Sequence, residues 1–231
     1  MYIAIEGLKG TGKSTLIKAL LPQLNTRFCH LGTIQALNPT KPIPNDKLEA
    51  LFHERQNDSE FLQQLYAKRS NYHASAIDWN AAGLIISDRS LLTSLAVRWH
   101  DAKNAGLDAS TYFQKLRAQE HVIAIPDIVI QLDASDSTLL ERYQKRGRDY
   151  GKYEETKSGM LQMRANFQDL YQWLTSASAK AIINHPIDIY HYNTEAQSAD
   201  AICLQILAAI EHHLKQINDE NKYKSLYCLT A

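Results

Sequence analysis

The chain has little cysteine. Cys29, Cys203 and Cys228 are scattered over 231 residues, so neither a disulfide framework nor a paired-thiolate metal site is expected. They read as small buried residues kept reduced in a cytoplasmic protein. No apolar run approaches the ~18 residues of a membrane-spanning helix, and no leader is expected before a strand that begins at residue 2. An excess of one charge is missing too. Lys and Arg number 25, Asp and Glu 25, which argues against a nucleic-acid polymer or a membrane surface as partner. His185, His191, His212 and His213 have no metal-ligand spacing. The Asn-Lys-x-Asp and Asp-x-x-Gly signatures of a GTPase switch are absent. No internal repeat or low-complexity linker divides the chain, and its length suits one α/β domain with a small lid.

What is present is concentrated near the amino terminus. Gly7-Leu8-Lys9-Gly10-Thr11-Gly12-Lys13-Ser14 fits G-x-x-x-x-G-K-[ST], a loop that cradles phosphates. The context supports it: Tyr2–Ile5 is an apolar, β-prone run, and Leu16, Ile17, Leu20, Leu21 and Leu24 follow at helical spacing. Gly7, Gly10 and Gly12 let the backbone approach a polyphosphate. Amides of the loop and first helical turn, through Lys9, Thr11 and Thr15, then face the phosphate oxygens. Lys13 supplies a point charge to the outer phosphates, and the Ser14 hydroxyl is a candidate Mg²⁺ ligand.

Pro22 is expected to kink or end the first helix. Arg27–Leu31 reads as a second strand and residues 32–45, with three prolines, as a loop. Asp46–Arg55 reads as a short helix. A long helix over 59–81 starts at an Asp58 cap and stops at Gly83, with Phe61, Leu65, Tyr72, Ala76 and Trp79 as its apolar stripe. Arg69 falls on that stripe, where a charge needs a partner or a cleft. Leu84–Ser87 and Ile128–Leu132 are further strands, Ile187–Tyr192 a fifth. A helix with Leu92, Leu95, Ala96 and Trp99 inward is expected to stop at Gly106, Asp108 to cap another carrying Tyr112, Phe113 and Leu116, and further helices to cover about 137–146, 157–176 and 199–214. Residues 147–156 are polar with two glycines, so a lid is placed at about 146–157, and residues 216–231 form a tail. Alternating strands and helices predict a parallel sheet covered on both faces, with the loops at its carboxyl edge carrying the chemistry.

Two constellations join the loop. Asp88 is the first carboxylate after the third strand and suits the Mg²⁺ shell; Arg89 beside it suits a substrate phosphate. Arg142 and Arg146 share a helix face at i, i+4, and Arg148 follows, so a lid would bring cations to a phosphoryl group in transfer.

These motifs resemble the thymidylate kinase and deoxynucleoside kinase superfamily of P-loop kinases. Ile5-Glu6-Gly7 matches both branches. Tyr66-Ala67-Lys68-Arg69, then Gly83 and Ser87-Asp88-Arg89-Ser90, are similar to thymidylate kinases; Pro126-Asp127, Asp133-Ala134-Ser135 and Arg146-Gly147-Arg148 look more like deoxynucleoside kinases. The resemblance implies a three-layer fold with a 2-3-1-4-5 parallel sheet, ATP, Mg²⁺ and a possible homodimer. It further implies acceptor binding by Arg69 and Arg89, with Tyr66 and Glu6 nearby. Residues 28–45 contain no Asp or Glu. A sugar hydroxyl benefits from a general base, whereas a monophosphate is already an oxyanion. The expected reaction is therefore transfer from ATP to a deoxynucleoside monophosphate, dTMP first among them. A nucleoside kinase whose base is Asp88 or Glu6, and a non-catalytic nucleotide-binding homologue, stay open as alternatives.

Overall fold

The structure, a computed structural model, describes residues 1–55, 58–80, 83–146 and 156–228, without the side chains of Arg146 and of residues 218–228. Five parallel strands, β1 (Tyr2–Gly7), β2 (Thr33–Leu37), β3 (Gly83–Asp88), β4 (Ile128–Asp133) and β5 (Asp188–Asn193), lie in the order β2-β3-β1-β4-β5, as expected. Strand residues alternate between two cores. Ile3, Ile5, Leu84, Ile86, Ile128 and Ile130 face α1 (Lys13–Arg27) and α10 (Ala199–Cys228). Tyr2, Ile85 and Val129 face the opposite layer. That layer holds α4 (Leu91–Val97), α5 (Trp99–Asn104), α6 (Ala109–Gln119), α8 (Lys157–Leu174) and α9 (Ala177–Ile183). The period-2 alternation of a doubly covered sheet is thus read out in two apolar layers.

Three local expectations are corrected. Helix α1 does not end at Pro22 but runs through it. Proline there removes a bond to the Lys18 carbonyl, and both residues are exposed, so water can serve that carbonyl. The second strand is Thr33–Leu37, within the expected loop. Phe28 buries its ring at the end of α1, Cys29–Leu31 form a 3₁₀ turn, and Gly32 at φ 105° redirects the chain to the sheet edge. The helix expected over 59–81 is α3 (Ser59–Ala74), capped by Asp58 as predicted. Its Tyr72 points outward, and Trp79 instead donates its indole N–H to the Ala74 carbonyl and packs edge-on against Tyr2. Two smaller differences follow. Cys29 is exposed while Cys203 is buried, and α10 continues past its expected end at Leu214 to Cys228. Among the described residues no helix is long and apolar enough to cross a membrane.

β1 sits between β3 and β4, so its carboxyl end delivers the glycine-rich loop to the middle of the sheet edge. Gly7 makes that turn at φ 137°, and a Cβ there would lie 2.3 Å from the Leu132 carbonyl oxygen. Gly7→Ala is therefore expected to cost about 2–4 kcal/mol and to lower Tm by roughly 5–15 °C in thermal unfolding. Gly12→Ala should cost less, because nothing lies within 4 Å of its Cβ position.

Candidate active site

Helix α1 begins at Lys13, and Gly12 caps it in the left-handed conformation, φ 92°. The Lys13 ammonium donates to the carbonyls of Gly7, 3.0 Å, and Leu8, 2.9 Å. Thr11 turns inward and donates to the Leu8 carbonyl, so it shapes the loop from behind. Lys9, Ser14 and Thr15 face the cleft. Ser14 Oγ donates to Asp88 Oδ2 at 2.9 Å, bringing together from β3 and α1 two oxygens paired as the sequence pattern paired them. A hydroxyl beside a carboxylate is the hard-oxygen donor set that suits Mg²⁺.

Arg89, next in the chain, stands at φ 80°, unusual for a residue with a side chain. Its amide donates to the Ile5 carbonyl and its guanidinium to Thr93 Oγ1, so strand and helix both fix it. Glu6 lies behind the cleft. It is fully buried and accepts from Ser90 Oγ at 2.6 Å and Thr93 Oγ1 at 2.5 Å. Burial pushes its carboxyl above the usual range, against the pull of those hydroxyls. The sequence placed Glu6 against substrate; its geometry instead ties β1 to the start of α4.

Arg69 faces inward as predicted, but it brings a partner that sequence reasoning missed. Glu49, at the end of the loop after β2 on the short helix α2 (Lys47–Ala50), accepts from Arg69 Nε at 2.6 Å and from Arg69 Nη2. Its Oε1 also accepts from the Ile43 amide. Burial works to raise the Glu49 carboxyl, yet the Arg69 and Ile43 donors leave it below the ordinary value. Phe52 and Tyr66 place their rings 5.3 and 5.4 Å from the Arg69 guanidinium. Glu49, Phe52, Tyr66, Arg69, Asp88 and Arg89 share with the loop one cleft of about 580 Å³.

The Glu49 shift has a sign that can be measured. A depressed carboxyl stabilises the fold above the unfolded value, about 4.3, and that share is lost as pH falls through the folded value. Glu49→Gln is expected to cost about 1–3 kcal/mol at pH 7. The gap to wild type should shrink by pH 3 in denaturant unfolding; a gap independent of pH would contradict the pairing.

Arg142 is not among the residues facing the cleft. From α7 (Asp136–Arg146) its guanidinium donates to the Gly10 carbonyl at 2.7 Å, and Tyr143 Oη donates to the Lys9 carbonyl at 2.9 Å. Contrary to expectation, Arg142 braces the loop backbone from outside. Arg148 and residues 147–155, the bulk of the expected lid, lie outside the described residues, as does the Arg146 side chain. Arg164 on α8 was not anticipated. It pairs with Asp133 at 3.0 Å and with Asp136, and donates to the Ala134 carbonyl, joining α8 to the start of α7. No group of three or more His, Cys, Asp or Glu side chains able to hold a metal occurs among the described residues.

A central β1, a glycine loop at its carboxyl end and a 2-3-1-4-5 parallel sheet define a P-loop kinase. Within that class the chain belongs to the thymidylate kinase family, whose model matches residues 5–192. It is an ATP-dependent nucleoside or nucleotide kinase. It is 28% identical over 168 residues to a probable thymidylate kinase of Metallosphaera sedula, covering 73% of this chain and 78% of that one. It is 24% identical over 220 residues to a deoxyadenosine/deoxycytidine kinase of Bacillus subtilis, covering 93% and 95%. The structure of a thymidylate kinase from Candida albicans superposes with a TM-score of 0.56 at 19% identity, over 92% of this chain and 91% of that chain.

Proposed function

We propose that the chain transfers the γ-phosphoryl group of ATP to a deoxynucleoside monophosphate, with dTMP the leading acceptor. The observation that carries this reading is Arg89. It is held by the Ile5 carbonyl and Thr93, has no ion-pair partner among the described residues, and faces the same cleft as the loop. A preorganised cation of this kind suits an anionic acceptor. In this reading the loop amides and Lys13 hold the triphosphate. Ser14 and Asp88 hold Mg²⁺, which neutralises charge on the outer phosphates when bound. Tyr66, Arg69 and Arg89 receive the acceptor, and Arg146 and Arg148 complete the charge from the lid. A cytoplasmic location is proposed as well, and the resemblance carries a possible homodimer.

A nucleoside acceptor is the second reading, and Glu49 favours it. The carboxylate missing from residues 28–45 reaches the cleft from four residues further on. However, Glu49 is occupied by two Arg69 bonds and one amide and is acidified by them, which makes it a weak base. The monophosphate therefore stays first. An ADP-release assay over paired nucleosides and monophosphates separates the two. Turnover of dTMP above thymidine is expected; thymidine without dTMP would reverse the order. ATP binding without acceptor-dependent turnover would leave the non-catalytic homologue.

A further inference from the structure

Behind the cleft, α3, α4 and α6 share a buried polar cluster that phosphoryl transfer does not use. Arg98 stands at the junction of α4 and α5, Glu120 at the end of α6, Ser70 on α3, Ser94 on α4 and Tyr112 on α6. Each is more than nine-tenths buried. An Arg98 nitrogen, Glu120 Oε1, Ser70 Oγ and Tyr112 Oη are buried without a hydrogen bond of good geometry. Such a cluster is a poor way to hold three helices together, since apolar packing does as well or better. Its reach suggests another use. Arg98 donates to the Leu62 carbonyl at 3.3 Å and lies 5.6 Å from the Tyr66 ring centroid, so Tyr66 has Arg98 as well as Arg69 against it. Ser94 faces the cleft, and its hydroxyl also acts on the Glu120 carboxyl.

We propose that Arg98 and Glu120 are positioning residues for the acceptor: through Tyr66 on α3 and Ser94 on α4 they fix two walls of the cleft. The proposal rests on the assignment of Tyr66 and its neighbours to the acceptor. Burial pushes the Glu120 carboxyl up to about 7, against Ser70, Ser94 and the cations Arg98 and Arg117. Tyr112 on the same helix and Tyr2 on β1 also feel its charge. Above about pH 7 an anionic Glu120 balances Arg98. Below it the carboxyl is neutral, the counter-charge is gone, and the acceptor KM rises.

The test is a split between the two substrates. Arg98→Met should raise the KM for dTMP roughly tenfold, the worth of a desolvated cation–π contact, with the KM for ATP little changed. Glu120→Gln should raise the dTMP KM at pH 8 and flatten its dependence between pH 6 and 8. The acceptor phosphate titrates in both proteins, so the difference between the two profiles is the readout. Because either single change can weaken folding, Arg98→Met with Glu120→Leu removes both charges together. Its Tm should return toward wild type while the acceptor KM stays raised. Equal rises in both KM values, or a KM restored together with Tm, would overturn the proposal. If wild type uses thymidine and not dTMP, the monophosphate reading falls, and the same split measured with thymidine still decides this one.

Discussion

Lys13→Ala is expected to lower kcat by roughly 100-fold or more, the scale of losing one preorganised charge at a transition state. The fold should survive. Lys13 is buried, and its ammonium donates to two carbonyls of its own loop. Those carbonyls hold the ammonium at the mouth of α1, where a triphosphate would take it over. The loss should appear in kcat with every acceptor, because it concerns the donor. Single-turnover kinetics beside thermal unfolding would check it. An unchanged kcat would show that the loop does not hold the transferred phosphate.

Arg89→Ala is expected to raise the acceptor KM by about 10- to 100-fold, from the roughly 1.5–3 kcal/mol of a hydrogen bond to a charged group. The ATP KM should move far less. Alanine keeps a Cβ, so the backbone at φ 80° bears the same conformational cost in both proteins, and the change reads the guanidinium alone. Thr93 loses one donor and keeps its bond to Glu6, so α4 should stay in place. If only the ATP constant moves, Arg89 serves the donor and the acceptor site lies elsewhere.

The phosphate loop was legible because its signal is local: strand, glycines and helix follow one another without a gap, and each residue type has one job there. The pairing of Ser14 with Asp88 was legible for a related reason, since a parallel sheet puts the ends of β1 and β3 side by side. β2 was not, because the apolar residues just before it close α1 while the strand itself sits at a half-exposed edge with a weak pattern. Arg142 shows the limit of spacing arguments. Its i, i+4 relation to Arg146 fixes a face of α7, and only tertiary packing decides that Arg142 meets the Gly10 carbonyl. Glu49 was invisible for the same reason. A carboxylate on a one-turn helix carries no signal until folding sets it against Arg69, twenty residues later. Glu6 was found by resemblance, yet its burial beneath Ser90 and Thr93 assigns it to the wall and not the cleft.

In the proposed reaction a phosphoryl group passes from the loop to a second small molecule in the same cleft. ATP labelled in its γ-phosphate, incubated with Mg²⁺, the protein and dTMP, follows that group directly. Label recovered in dTDP is the result expected of the proposed reaction. Label that stays in ATP, or appears only as inorganic phosphate whichever nucleoside or monophosphate is added, would contradict it.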